Sequence, residues 1–116
     1  MNVQIKRVYD PVERGDGLRV LVDRLWPRGL SKEDAEIDLW VKDLAPSTEL
    51  RRWFHSDAGT WTEFKKRYHR ELLAHKDAAI ELRKQIGLRK ATFLYASKAV
   101  AHNHAQLLKA HLEKLH

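Results

Sequence analysis

The chain has 116 residues, the length of one ordinary domain, and can bury about two thirds of the surface its unfolded form exposes. It contains no cysteine, which excludes disulfides, a thiolate nucleophile and a zinc site of the usual thiolate type. Lys and Arg number 22 against 16 Asp and Glu, a formal net charge of +6 at pH 7, and this bias favours anionic partners without choosing among them.

With 43% apolar and 33% charged residues the composition is that of a globular protein rather than a disordered one. No internal repeat or composition break divides it, so one domain over 1–116 is expected. The start, MNVQIKRVYD, lacks the apolar stretch of a secretory signal, and no apolar run reaches membrane-spanning length. A cytoplasmic protein with no membrane partner is the expectation.

Val3, Ile5 and Val8 introduce a first strand over 3–8, and Asp10-Pro11 with Gly15-Asp16-Gly17 mark the loop that follows. A second strand is predicted over 18–25, where Leu18, Val20 and Val22 alternate with Arg19, Leu21 and Asp23, apolar on one face and mixed on the other. Pro27 cannot donate to a sheet ladder and Gly29 invites a turn, so this strand should finish by Trp26. Ser31 can cap a helical turn over 32–36.

Ile37, Leu39 and Val41 then alternate with Asp38, Trp40 and Lys42, which fits either a third strand or a short helix. Beyond Pro46, Ser47-Thr48 offer an N-cap for a helix carrying Leu50, Trp53 and Phe54. A long helical region is predicted from near Asp57, with Trp61, Phe64, Tyr68 and Leu72 on one stripe and Lys65, Lys66, Arg67 and Arg70 mostly off it. The pattern restarts with Ala79, Leu82 and Ile86 and stops at Gly87. Residues 92–96, nearly all apolar, read as a buried strand, and Ala105, Leu108, Leu112 and Leu115 line one face of a last helix.

Strands separated by helices imply crossovers and parallel pairing. The expected fold is α/β, a single small layered domain with a mostly parallel sheet of about three to five short strands flanked by helices. The first two strands either form an antiparallel pair or sit apart in the sheet.

In such sheets ligands bind beyond the carboxyl ends of the strands. The second strand delivers Asp23, Arg24, Trp26 and Arg28 there. The strand over 92–96 delivers Ser97 and Lys98, then His102-Asn103-His104 at the start of the last helix. Arginine suits phosphate or carboxylate because its planar fork makes two parallel hydrogen bonds and stays charged. Helix N-termini near Ser47 and near Asn103 add backbone donors.

The candidate is therefore an anion-binding cleft built from Arg7, Arg24, Arg28, Lys98, Asn103 and a histidine, with Tyr9, Asp23, Trp26 and Ser47 as further ligand-binding candidates. The blander alternative pairs Arg24 with Asp23 or Asp38, stacks Arg28 on Trp26, and uses the tryptophans and Phe54 as core. His104 or His102 is the candidate general base, since an imidazole at a helix N-terminus tends to stay uncharged, and Asp23 would orient its neighbours. Two histidines spaced by two on a helix point about 200° apart, so no metal site is expected, and no cofactor. There is no Gly-rich phosphate loop, no Ser-His-Asp elbow and no catalytic Glu pair.

The segments IKRVYDP, RVLVDRLWPRG, LWVKDLAPSTELRRWF and HNHA together resemble the YeaO-like branch of the domain of unknown function 488 family, and the resemblance covers nearly the whole chain. The matching positions are Lys6, Arg7, Tyr9 and Asp10, then Asp23, Arg24 and Trp26 through Gly29, then Pro46, Ser47, Trp53 and Phe54, and last Tyr95, Lys98 and His102 through His104. The resemblance implies a single α/β domain and brings no established activity. Other branches carry a CAE…CHR pattern in the last strand and helix. Here Tyr95 and Asn103 stand at those cysteines and Ala105 at the arginine, which puts thiol or metal chemistry in doubt, while His104 is retained.

The favoured reading is a small protein whose cleft binds a phosphate- or carboxylate-bearing small molecule, as an enzyme on a nucleotide-like or phosphorylated substrate if catalysis occurs at all. The alternatives are a nucleic-acid-binding module using the basic helix over 61–73, and a protein-interaction domain without catalysis. No pattern in the sequence fixes an oligomeric state.

Overall fold

The structure, a computed structural model, describes residues 1–115. Its strands are β1 (Asn2–Arg7), β2 (Leu18–Leu21), β3 (Leu39–Trp40) and β4 (Lys90–Tyr95), and its helices α1 (Lys32–Ala35), α2 (Thr48–Phe54), α3 (Trp61–Ala74), α4 (Lys76–Ile86) and α5 (His104–Glu113). Among the described residues the strands form one sheet in the order β1-β4-β2-β3, every pair parallel. The first two strands thus sit apart, with β4 between them. Residues Ala91 to Tyr95 are buried throughout, as a strand flanked on both sides and covered on both faces must be.

One face of the sheet presents Val3, Val20, Val22, Ala91, Phe93 and Tyr95. The helices close over it with Phe64, Tyr68 and Leu72 of α3, Ala79, Leu82 and Ile86 of α4, and Ala105, Leu108 and Leu112 of α5. These are the stripes the helical spacing predicts, and burying them is what holds short helices together.

The opposite face is built differently. Asp16, 1% exposed, gathers the buried Arg19 at 2.5 Å and Lys6 at 2.9 Å, while Gln4 joins Asp16 to the Thr92 hydroxyl and that hydroxyl donates to the Asp16 carbonyl at 2.7 Å. Arg19 also donates to the carbonyls of Ala35 and Glu36, which ties α1 to the sheet. Burial alone would raise the Asp16 carboxyl, but hydrogen bonds from Lys6, the Glu13 backbone and Arg19 outweigh it and hold the group below its ordinary value. Burial alone would lower Lys6, and its bonds to Asp16 and Glu13 hold it above. Gly17 follows at φ 65° where a Cβ would meet the Lys90 carbonyl oxygen at 2.2 Å, so only glycine fits this close approach.

β1, α1 and β4 differ from the sequence reading by one or two residues at their ends, and three boundaries differ in ways that shape the chain. β2 stops at Leu21: Val22 still donates to the Leu94 carbonyl at 3.0 Å, but the Asp23 side chain then turns to the Ala96 amide at 2.9 Å and ends the ladder. The 37–42 segment contributes only the two-residue β3 before a 3₁₀ turn at Lys42–Leu44. The long helix begins at Trp61 because Thr60 caps it, accepting from the Glu63 amide at 3.3 Å.

Tyr68 of α3 donates its hydroxyl to the Leu44 carbonyl at 2.5 Å, and the Glu71 carboxylate accepts from both the Ser47 amide and its hydroxyl. These bonds fix where α2 starts. Among the described residues no helix is long and apolar enough to cross a membrane.

Candidate functional site

Parallel strands end along one edge, and a cavity of about 320 Å³ opens there, at the small end of the range for ligand pockets. Its floor is Asp23, just past β2, and His104, the first residue of α5. Its walls are Phe54, Trp61 and Phe64, and its polar rim carries Arg24, Arg51, His55 and His102.

At the floor, the Asp23 Oδ2 accepts from the Ala96 amide at 2.9 Å. Oδ1 lies 3.0 Å from His104 Nε2, and the Val22 carbonyl oxygen lies at the same distance from that nitrogen. Two acceptors converge on Nε2, which assigns it the ring proton. The carbonyl takes the hydrogen bond. Oδ1 is buried with no hydrogen bond of its own among the described residues and faces the same N–H as an electrostatic partner. The imidazole is held further by the edge of Tyr68, centroids 6.2 Å apart at 84°. Burial, with the carboxylates of Glu71 and Asp23, pushes that phenol well up, so it stays a donor to Leu44.

At the rim, Arg24 donates from Nε to the Pro46 carbonyl and from Nη2 to the Ala45 carbonyl, each at 3.2 Å. Those acceptors fix the guanidinium but carry no net charge to cancel it. Arg51, exposed on α2, takes part in none of the ion pairs found among the described residues. Two arginine charges therefore face one carboxylate, and that carboxylate is turned onto Ala96 and His104.

The aromatic wall is a stack. Trp61 lies on Phe64 with centroids 5.5 Å apart and planes 13° from parallel, and the exposed His102 covers the indole at 4.8 Å and 8°. Phe54 leans on Phe64 at 4.5 Å.

Of the candidates from sequence, the cleft brings together Asp23, Arg24, His102, Asn103 and His104. Asn103 is spent locally: its side chain caps α5 by accepting from the Gln106 amide and donates to the carbonyls of Ala99 and Val100. The other candidates stand outside the lining. Arg7 is on β1, across β4 from β2, where it donates to the carbonyls of Ser97 and Ala96 and stacks on Tyr9 at 5.2 Å. The Tyr9 hydroxyl donates to the Arg28 carbonyl at 2.9 Å, and the Arg28 and Lys98 side chains are exposed away from the cavity. Trp26 donates to Leu30 and meets Trp40 edge-on at 5.4 Å, and Ser47 is held by Glu71.

Arg51 and His55 are the site residues that sequence reasoning missed. Arg51 lies on α2 and His55 caps its C-terminus, and their spacing of four places them on one side of Phe54, which was the available signal. On the predicted basic helix, Lys65 and Lys66 are exposed, while Arg67 is engaged by Glu63 at 3.2 Å and lies over Trp53 at 3.9 Å. His111, which shares a face with His104 in the sequence, instead meets His69 of α3 at 5.7 Å. Among the described residues no three metal-ligating side chains gather.

Comparison with known proteins matches residues 2–116 to the family described as "Inactive DUF488-N3 subclade". The chain is 44% identical over 115 residues to "Uncharacterized protein YeaO" of Escherichia coli (strain K12), covering 99% of this chain and 100% of the relative. It is 46% identical over 107 residues to "Uncharacterized protein Mb3100c" of Mycobacterium bovis and to "Uncharacterized protein Rv3073c" of Mycobacterium tuberculosis, covering 91% of this chain and 89% of each relative. No solved structure matches. Coverage of nearly the whole chain by the family and by these relatives agrees with the segments that carry the resemblance, and the chain belongs to the domain of unknown function 488 family, in the subclade described as inactive.

Proposed function

We propose that the cleft binds a small molecule bearing a phosphate or carboxylate and does so without turning it over. The observation that carries the reading is the pair of arginines, Arg24 and Arg51, lining an apolar-walled cavity whose one carboxylate is already committed to protein partners. An arginine fixed by neutral carbonyls keeps its full attraction for an anion, and part of the cost of ordering the side chain is already met by those bonds.

Three features favour binding over catalysis. The Nε2 proton of His104 is held by the Val22 carbonyl and Asp23, so that nitrogen is not open to accept a proton from a substrate. The positions where other branches of the family carry cysteines hold a buried tyrosine, Tyr95, and a capping asparagine, Asn103. The subclade itself is described as inactive.

The test is calorimetric titration with inorganic phosphate, phosphorylated sugars, nucleoside monophosphates and small carboxylates. At least one of these anions should bind, and Arg24→Ala and Arg51→Ala should each weaken it by about tenfold, the value of a charge-assisted hydrogen bond. Affinity that survives both substitutions removes the site assignment. Turnover of the bound ligand on prolonged incubation contradicts the non-catalytic part alone. Binding only to long nucleic acid, lost with salt and with neutralisation of Lys65 and Lys66, moves the function to α3.

A further inference from the structure

Resting on that reading, we infer that the ligand joins its anionic group to a flat heteroaromatic ring, and that this ring seats on Trp61 at the place the His102 imidazole covers. Trp61 belongs to a run of parallel rings, with Phe64 packed behind it at 5.5 Å and the His102 imidazole in front at 4.8 Å. Phe64 is 3% exposed, so the rear of the stack is fixed in the core while its front is not.

The histidine that covers the front differs from its neighbours in how it is held. Asn103 caps α5 and ties down Ala99 and Val100, and His104 is clamped by Val22 and Asp23. The His102 ring makes no hydrogen bond and no ion pair among the described residues, and it is exposed. Stacking on the indole is what holds it. It can therefore swing aside by side-chain rotation, with the backbone pinned next door at Asn103. Imidazole has one five-membered ring, and a two-ring nucleobase covers more of the indole, so exchanging one for the other gains overlap.

The chemistry of the ring follows from the surroundings. Arg24 and Arg51 line the same cavity and repel a cationic ring, which leaves a neutral one, and the imidazole of His102 on the indole shows a nitrogen heterocycle seated at that face. A cavity of about 320 Å³ has room for one such ring system and one anionic group at the small end of pocket sizes. A nucleoside monophosphate has this composition.

Titrating adenosine 5′-monophosphate and ribose 5-phosphate into the full chain, and into Trp61→Leu, Trp61→Phe and His102→Ala, separates the ring from the anion. The wild type should prefer the nucleotide by about tenfold. Trp61→Leu should abolish that preference by weakening the nucleotide more than ribose 5-phosphate, Trp61→Phe should keep part of it, and His102→Ala should tighten the nucleotide about threefold by removing its competitor. Equal affinity for the two probes in the wild type overturns this inference and leaves the anion site standing. So does a preference that survives in Trp61→Leu. Unchanged or weaker nucleotide binding in His102→Ala overturns the displacement of His102 by the ligand's ring. Binding of neither probe, nor of inorganic phosphate, overturns the anion reading and this inference with it.

Discussion

The Asp23 carboxylate joins the ends of two strands to the start of the last helix: one oxygen accepts from the Ala96 amide at 2.9 Å and the other lies 3.0 Å from His104 Nε2. This arrangement ends β2, orients the imidazole and leaves no negative charge free to answer Arg24. Replacing the residue tests the first of these. Asp23→Ala leaves the Ala96 amide without its partner and is expected to destabilise the protein by about 1–3 kcal/mol, the usual cost of an unsatisfied buried donor, measured by urea unfolding. Asp23→Asn keeps an acceptor for Ala96 and should lose less. Equal losses would show that the Ala96 bond carries none of the effect.

On the other face of the sheet the Asp16 network should decide the limits of stability in pH. Asp16 is held below its ordinary value of 3.8 and Lys6 above its ordinary 10.5. A depressed carboxyl contributes stability that is complete above the unfolded value and lost as pH falls through the folded one, while a raised lysine contributes below 10.5 and loses it as pH climbs further. Both contributions are therefore present between about pH 4 and pH 10. Asp16→Ala strands the buried Arg19 and should cost about 3–5 kcal/mol, with the loss of stability between pH 4 and pH 2 flattened relative to wild type in thermal melts. A variant with wild-type stability at pH 7 would contradict this account.

His111 of α5, packed against α3, should tune stability nearer neutrality. Burial, then His69 and then Lys114, hold His111 below its ordinary value of 6.5, and Lys65 lines the same hollow. The unfolded chain takes up the proton more readily than the folded one. Stability from this residue is thus complete above about pH 6.5 and lost as pH falls through the folded value. His111→Gln should flatten the pH dependence of the melting temperature between pH 6.5 and pH 5. An unchanged slope in that window would contradict the assigned cause.

Periodicity carried the helical layer. The stripe of Phe64, Tyr68 and Leu72 and the alternation of Leu18, Val20 and Val22 say which side faces the core, and the structure buries those sides. Pairing was less accessible, because β4 enters the sheet between β1 and β2 from about seventy residues further along the chain than β2, and no local pattern encodes so distant a neighbour. At the site, the rule that ligands gather at strand carboxyl ends pointed to Asp23, Arg24 and His104. It also gathered Arg7 and Arg28, whose positions depend on strand order and on the path of the turn after Trp26. Arg51 and His55 escaped notice because an exposed basic pair on a short helix has the same sequence appearance whether or not a cavity lies beside it.

Amide chemical shifts followed during titration with adenosine 5′-monophosphate and with inorganic phosphate locate the bound anion residue by residue. Saturating shifts are expected at Ala96, Ser97 and His102 through Ala105, and at Arg51 through His55, with the amides of Lys65, Lys66 and His69 unmoved. Shifts centred on those α3 residues, or none at the carboxyl edge of the sheet, would contradict an anion bound in the cleft.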